Sequence, residues 1–426
     1  MGAFPKKAGP ALANRRSRRF LAARFIASRP TLHMKLFLIG CVSWLLTLSA
    51  PAQPKPKLSL LTGADQTGQY LTTLRGKRVG MVVNQTSIIN RPGTSPTHVV
   101  DSLTALGVTI RTIFAPEHGF RGQASAGEKI ASGRDPKTGI TIISLYGKNL
   151  KPTPEQLDSL DIVVFDIQDV GARFYTYIST LHYVMDACAD ARKPLLVLDR
   201  PNPNGHYVDG PVLDPKFKSF VGMHPIPIVH GLTVGELARM INGEGWLGPS
   251  KTCSLTVVPV KNYTHQTPYV LPVAPSPNLP NAQAVGLYPS LCLFEGTVVS
   301  VGRGTDKPFQ VIGSPNPANG PYQFTPAERP TALNPPQKGL LCYGLDLSGV
   351  DTRKLGFTVR YVLDFYQKAQ DKDAFILKSN FIDKLYGSDQ LRLQLRTGVA
   401  ESAIRASWQP ALNAYKQMRK KYLLYP

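Results

Sequence analysis

Between residues 78 and 200, five short runs, apolar or β-branched, alternate with amphipathic stretches. This alternation constrains the fold more than any other feature. The runs are Val79–Val83, Val108–Phe114, Ile140–Leu145, Ile162–Phe165 and Leu195–Leu198. A strand that alternates polar and apolar residues can leave one face in water, whereas a strand that is apolar throughout must be covered on both. Between the runs, Thr97–Leu106, Thr153–Leu160 and Tyr177–Ala191 have helical spacing, and Pro154 suits a first helical turn. Short buried strands separated by helices imply an α/β fold: a Rossmann-like, mostly parallel sheet with helices on both faces.

The polar residues gather where the runs end. Asn84, Glu117, Asp166, Asp169, Asp199, Arg200 and Asn202 all follow the C-terminal ends of apolar runs. Open α/β sheets bind ligands outside those ends. No G-x-G-x-x-G and no Walker A sequence is present, so the sheet need not bind a nucleotide. Thr233, with Glu236 three residues on, reads as the capped start of one more helix. From 259 to 336 the chain is rich in proline with few periodic runs. Regular patterns then return, with a strand over Leu340–Leu347 and helices over Val359–Lys368 and Gly398–Lys421. The expected organisation is a Rossmann-like domain over 53–250 and a smaller α+β domain over 251–426.

The N-terminus reads as an address rather than as fold. Residues 1–33 hold eight basic residues and no acidic one. Met34-Lys35, the apolar run Leu36–Leu48 and Ser49-Ala50-Pro51-Ala52 follow, in the order of an export signal. Residues 1–52 are therefore expected to be an extension plus signal peptide, with Met34 the true start. A rival reading takes Ser17-Arg18-Arg19-Phe20-Leu21 as a twin-arginine signal. Leu38-Ile39-Gly40-Cys41 has the form of a lipoprotein box, but it lies too close to Met34 to leave a full apolar run ahead of it. That run is too short to span a bilayer. The mature chain is expected to be periplasmic or secreted, without a stable membrane span.

Nine basic residues precede Gln53, so the remaining, roughly 370-residue chain carries +12 of the total +21. Its Lys and Arg residues are scattered and form no recognition motif. Outside the cytoplasm such a surface suits anionic polymers rather than nucleic acid. Four cysteines remain (Cys188, Cys253, Cys292 and Cys342), all in apolar surroundings and none in a C-x-x-C, which reads as buried free thiols. The histidines lack metal-ligand spacing, and G-x-S-x-G and H-E-x-x-H are absent, so neither metal nor cofactor is expected.

Four constellations carry chemistry. In Phe114-Ala115-Pro116-Glu117-His118-Gly119, a strand runs into a proline that keeps the preceding residue extended. Glu117 and His118 are thereby delivered to the strand-end crevice. A glutamate among aromatic and apolar neighbours is suited to general-acid work near neutral pH. In Asp166-Ile167-Gln168-Asp169-Val170-Gly171-Ala172-Arg173-Phe174-Tyr175-Thr176-Tyr177, carboxylates can grip sugar hydroxyls, Arg173 can grip a carboxylate, and Tyr175 and Tyr177 offer aromatic faces. The same residues also suit a helix cap at Asp169 with an ion pair to Arg173. The proline-stiffened loop containing Asn202 and Asn204 offers hydrogen bonds but no nucleophile, and reads equally as a plain turn. Finally, Phe294-Glu295-Gly296-Thr297 and Gly302-Arg303-Gly304-Thr305 supply a second carboxylate and an arginine between glycines, with Asn278 in a nearby Ser276-Pro277-Asn278 turn.

Taken in order, "GMVVNQTS", "FAPEHGFRG", "DIQDVGARFYTYI", "LDRPNPNG", "HGLTVGELA", "SPNLP", "LYPSLCLFEGT" and "GRGTDKPFQVIG" resemble the exo-β-N-acetylmuramidases. These form glycoside hydrolase family 171, formerly a domain of unknown function. The resemblance runs from about residue 58 to the C-terminus. It implies release of N-acetylmuramic acid from the non-reducing ends of peptidoglycan fragments, in an active site between a Rossmann-like domain and a smaller C-terminal one. It also implies that Glu117 is the catalytic carboxylate. Asp166, Asp169 and Glu295 are candidates for its partner, and Arg173 or Arg303 for pairing with the lactyl carboxylate of muramic acid. Asn84, His118, Tyr175, Tyr177, Asn202, Asn204 and Asn278 complete the candidate substrate contacts. The rival function is a non-catalytic periplasmic muropeptide-binding protein.

Overall fold

The computed structural model describes residues 58–117, 119–121 and 132–426. The apolar runs become strands β1 (Arg78–Val83), β2 (Thr109–Ala115), β4 (Thr141–Ser144), β5 (Ile162–Asp166) and β6 (Leu195–Leu198), with a short β3 (Gly133–Arg134) and a further β7 (Leu255–Val258). They form one sheet in the order β7-β6-β5-β1-β2-β4-β3. All pairs are parallel except β3, which closes the edge against β4. The six parallel strands, counted along the chain, stand in the order 3-2-1-4-5-6. That is the doubly wound order, whose direction reverses between β1 and β5.

Alternate residues of each strand feed opposite cores, as the pleat requires. Val79, Met81 and Val83 of β1 face one core with Ile162, Val164, Leu196 and Leu198. Val82, Val163, Phe165, Leu195 and Val197 face the other. The first core is covered by helices α1 (Thr67–Leu74) and α2 (Val99–Ala105). The second is covered by α3 (Pro154–Asp158), α4 (Tyr177–Asp190) and α5 (Val234–Gly243), and it continues into the C-terminal half. Thr153 and Thr233 both close capping boxes, with Gln156 and Glu236. Strand β7 lies past the expected division at 250, yet extends this sheet alongside β6.

The C-terminal half has a three-stranded antiparallel sheet, with Cys342–Asp346 between Val311–Ser314 and Tyr322–Phe324. The proline-rich stretch holds helix α6 (Ala282–Leu291), followed by a 3-10 turn, Cys292–Gly296. The last long helix, Glu401–Arg419, returns to the first half. There Arg405 pairs with Asp209 at 2.5 Å, and the Tyr415 hydroxyl donates to the His230 carbonyl at 2.8 Å. The four described cysteines are free and buried. Among the described residues no helix is long and apolar enough to cross a membrane.

Candidate active site

A cleft of about 130 Å³ opens where the two halves meet. Glu117, Tyr175, Thr176 and Tyr177 line it from the sheet half, and Asn278, Tyr288, Glu295 and Arg303 from the other. Two carboxylates from distant parts of the sequence therefore face one space.

Glu117 follows β2 through Pro116. Its Oε2 accepts from the Thr176 hydroxyl at 2.9 Å, and the Tyr146 hydroxyl is also hydrogen-bonded to its side chain. Thr176 occupies the N-cap position of α4, yet its side chain makes no capping bond. Its hydroxyl serves the carboxylate instead. Burial, and after it the negative charge of Glu117, holds the Tyr146 and Tyr177 hydroxyls well above the ordinary tyrosine range, so both remain donors. Tyr175 donates to the Pro275 carbonyl at 2.7 Å, which ties α4 to the loop carrying Asn278.

Glu295 projects from the 3-10 turn after α6. Arg303 Nε and Nη2 reach its Oε1 at 2.8 and 2.6 Å, and the Cys292 thiol donates to Oε2 at 3.4 Å. Gly302 and Gly304 have φ of +77° and +80°, and a Cβ on Gly304 would sit 2.4 Å from the Ala327 carbonyl oxygen. Only glycine gives this backbone freely, and it leaves Arg303 facing the cleft, over the Phe309 ring at 5.0 Å. Nη1 has no hydrogen-bond partner among the described residues. It is the group available to an incoming anion.

The other candidates lie elsewhere. Asp166 is sealed, its carboxylate gripped by Arg200 at 2.6 and 2.9 Å. Asp169 accepts from the Gly171 amide at 2.6 Å and shapes the turn before α4, with His230 at 3.7 Å. Arg173 neither pairs with Asp169 nor reaches the cleft. It is fully buried, and its Nη1 and Nη2 donate to the carbonyls of Pro211, Ile226, Leu385 and Tyr386. A guanidinium clasping four carbonyls has no fork to offer a sugar carboxylate, so Arg173 is a buried structural group and not the expected ligand-binding one. Asn84 is buried behind the site, its Oδ1 accepting from Thr86 and its carbonyl from His98. His118 lies outside the described residues.

Asn202 and Asn204 are structural, for a reason that joins two motifs. Pro289 lies inside α6 and cannot donate to the carbonyl four residues back, that of Val285. Asn204 Nδ2 donates to that carbonyl at 3.1 Å, and to the Val170 carbonyl at 2.9 Å. Asn202 orients it, with Oδ1 accepting from the Asn204 amide at 2.8 Å. The proline inside α6 and the asparagine that takes up its orphaned carbonyl together fix the helix leading to Glu295 against the loops that follow β5 and β6. Thr176, Tyr146 and Tyr288 were missed as site residues. Thr176 and Tyr288 sit inside quoted motifs, but only the fold shows where their hydroxyls point.

A family model described as "Exo-beta-N-acetylmuramidase NamZ, N-terminal" matches residues 79–283, and its C-terminal counterpart matches 286–425. The chain is 38% identical over 424 residues to the peptidoglycan β-N-acetylmuramidase NamZ of Bacillus subtilis (strain 168), spanning 91% of this chain and 98% of that one. Two crystal structures of DUF1343 family proteins from Bacteroides fragilis NCTC 9343 share the fold. One has TM-score 0.79 and 47% identity over 86% of this chain and 99% of its own; the other has 0.75 and 29% over 87% and 100%. With both halves matched and the cleft formed between them, the chain belongs to the exo-β-N-acetylmuramidase NamZ family.

Proposed function

We propose that this chain is a glycoside hydrolase that removes terminal N-acetylmuramic acid from the non-reducing ends of peptidoglycan fragments, with Glu117 as general acid and Glu295 as the second carboxylate. One observation carries the reading: Glu117 and Glu295 line the same cleft, while Asp166 and Asp169 are sealed from it. The Thr176 and Tyr146 hydroxyls aim Glu117. Glu117 passes a proton to the glycosidic oxygen as its bond to C1 breaks, and positive charge develops on the sugar ring. Water adds at C1, and its proton restores the acid. Glu295, held by Arg303, lends negative charge to that state, and Arg303 Nη1 receives the lactyl carboxylate. In this reading residues 53–250 contribute the acid, and 251–426 the second carboxylate and the anion site.

We also propose that the chain is exported, with residues 1–52 removed and Met34 the true start, and that it acts in the periplasm or as a secreted protein. The basic n-region, apolar run and small-residue site support this.

The test is turnover of p-nitrophenyl β-N-acetylmuraminide at neutral pH by the wild type and Glu117→Gln. Turnover lost in the variant with folding intact supports the assignment. A variant that keeps most of its rate removes Glu117 from the role. A wild type that binds muramic acid without turning over establishes the rival binding function.

A further inference from the structure

Beyond the cleft, a row of half-buried aromatic rings leads away from Glu117, and nothing in the chemistry above uses it. Tyr146 begins the row. It is hydrogen-bonded to Glu117 but does not line the cleft, so the row leaves the site at the acid rather than at Arg303. The Phe220 ring follows, 6.4 Å from Tyr146. Tyr183 of α4 comes next, nearly parallel to Phe220 at 19° and 6.3 Å. These rings are partly exposed, whereas most aromatic side chains of the core are sealed.

The row is held in place. Ser179, one turn before Tyr183, donates to the Phe220 carbonyl at 2.7 Å. Ser219 and Gly222 exchange backbone hydrogen bonds at 2.9 and 3.1 Å, closing the turn that presents Phe220. Val221, the next residue, lines the cleft. The platform and the cleft are therefore continuous, and both are fixed to α4.

A general acid must stand beside the oxygen of the leaving group. The leaving group therefore lies on the Glu117 side, and the anion site at Arg303 marks the side of the sugar that is released. We infer that Phe220 and Tyr183 form the surface for the leaving saccharide, stacking the C–H faces of its β-1,4-linked N-acetylhexosamine rings. This rests on the hydrolase reading and deepens it. The aromatic row makes the enzyme prefer a saccharide over a small alcohol as leaving group, because binding energy remote from the bond is realised only when the rings are covered.

The experiment compares the disaccharide N-acetylmuramyl-β-1,4-N-acetylglucosamine with methyl β-N-acetylmuraminide, whose leaving group cannot reach Phe220. For Phe220→Ala and Tyr183→Ala, the ratio of kcat/KM on the disaccharide to that on the methyl glycoside falls about ten-fold, carried mainly by KM, and Phe220→Trp restores it. Thermal melting checks that each variant folds. An unchanged ratio, whether neither rate moves or both fall together, overturns the platform while leaving the hydrolase reading intact. A wild type that cleaves neither substrate overturns both.

Discussion

Two arginine–carboxylate pairs stand at motif positions of this chain, and they do different work. Asp166 and Arg200 meet behind the strand ends with side chains 0% and 2% exposed, and Arg200 Nη2 also donates to the Ile88 carbonyl at 3.0 Å. Glu295 and Arg303 meet at the cleft with side chains 24% and 19% exposed. In sequence the two are alike: an acid and an arginine in a polar loop. The difference is burial. The first pair is sealed within the protein and holds two strand-end loops together. The second lines the cleft, and the pair can meet a ligand. Arg173 and Asn204 are buried like the first pair, and Glu117 lines the cleft with the second.

The largest effects should separate the regions cleanly. Glu117→Gln is expected to lower kcat by roughly 10²–10⁴-fold with an unchanged melting temperature. Asp166→Asn leaves a buried guanidinium without its counter-charge and should cost about 3–5 kcal/mol in chemical denaturation, with the rate of the folded fraction preserved. If Asp166→Asn instead removed turnover at full stability, the sealed pair would belong to the chemistry and the comparison would break.

The seam between the regions should respond to pH. His98 packs edge-on against Phe120 of the Glu117 loop at 4.9 Å, and its Nε2 lies 2.9 Å from the Asn84 carbonyl. Its Nδ1 accepts from the Val100 amide, so the neutral, Nε2-protonated ring is the one that fits. Burial is the main cause that pushes its pKa down to about 4. Below about 6.5 the unfolded chain takes up a proton that the folded chain refuses until about pH 4. The contribution is therefore complete above about 6.5 and is lost as the pH falls toward 4. An allowance for partial exposure puts it at about 2 kcal/mol. His98→Gln should flatten that limb of the stability–pH curve; an unchanged limb would show that His98 is not its source.

Smaller changes sharpen the picture of the cleft itself. Arg303→Lys keeps the charge but loses the planar fork that also holds Glu295, so kcat falls on both substrates, while KM for a muraminide should rise about ten-fold more than KM for an N-acetylglucosaminide, which lacks the lactyl group. An equal rise in KM on both would take the anion site away from Arg303. Thr176→Val should slow turnover about five-fold with no loss of melting temperature, since Thr176 orients Glu117 and does not cap α4. A stability loss of about 1 kcal/mol with full activity would make it a cap after all.

By itself, the sequence determined the parallel sheet. Runs such as Ile162–Phe165 are apolar at every position, and nothing but helices on both faces can bury them. Period set α4, and the Thr233–Glu236 cap set α5, because both signals are local. It did not reveal β7, a four-residue edge strand of which only Val258 is buried and which lacks a full apolar run, nor α6, whose proline reads locally as a breaker. It gathered the polar residues at the strand ends but could not sort them. Asp166 and Glu295, Arg173 and Arg303 are chemically equal as letters. Only the tertiary structure decided between them, because a side chain's role depends on whether its donors and acceptors are met by protein or left facing a space. That depends on contacts such as Asn204 with Val285, 81 residues apart in the chain.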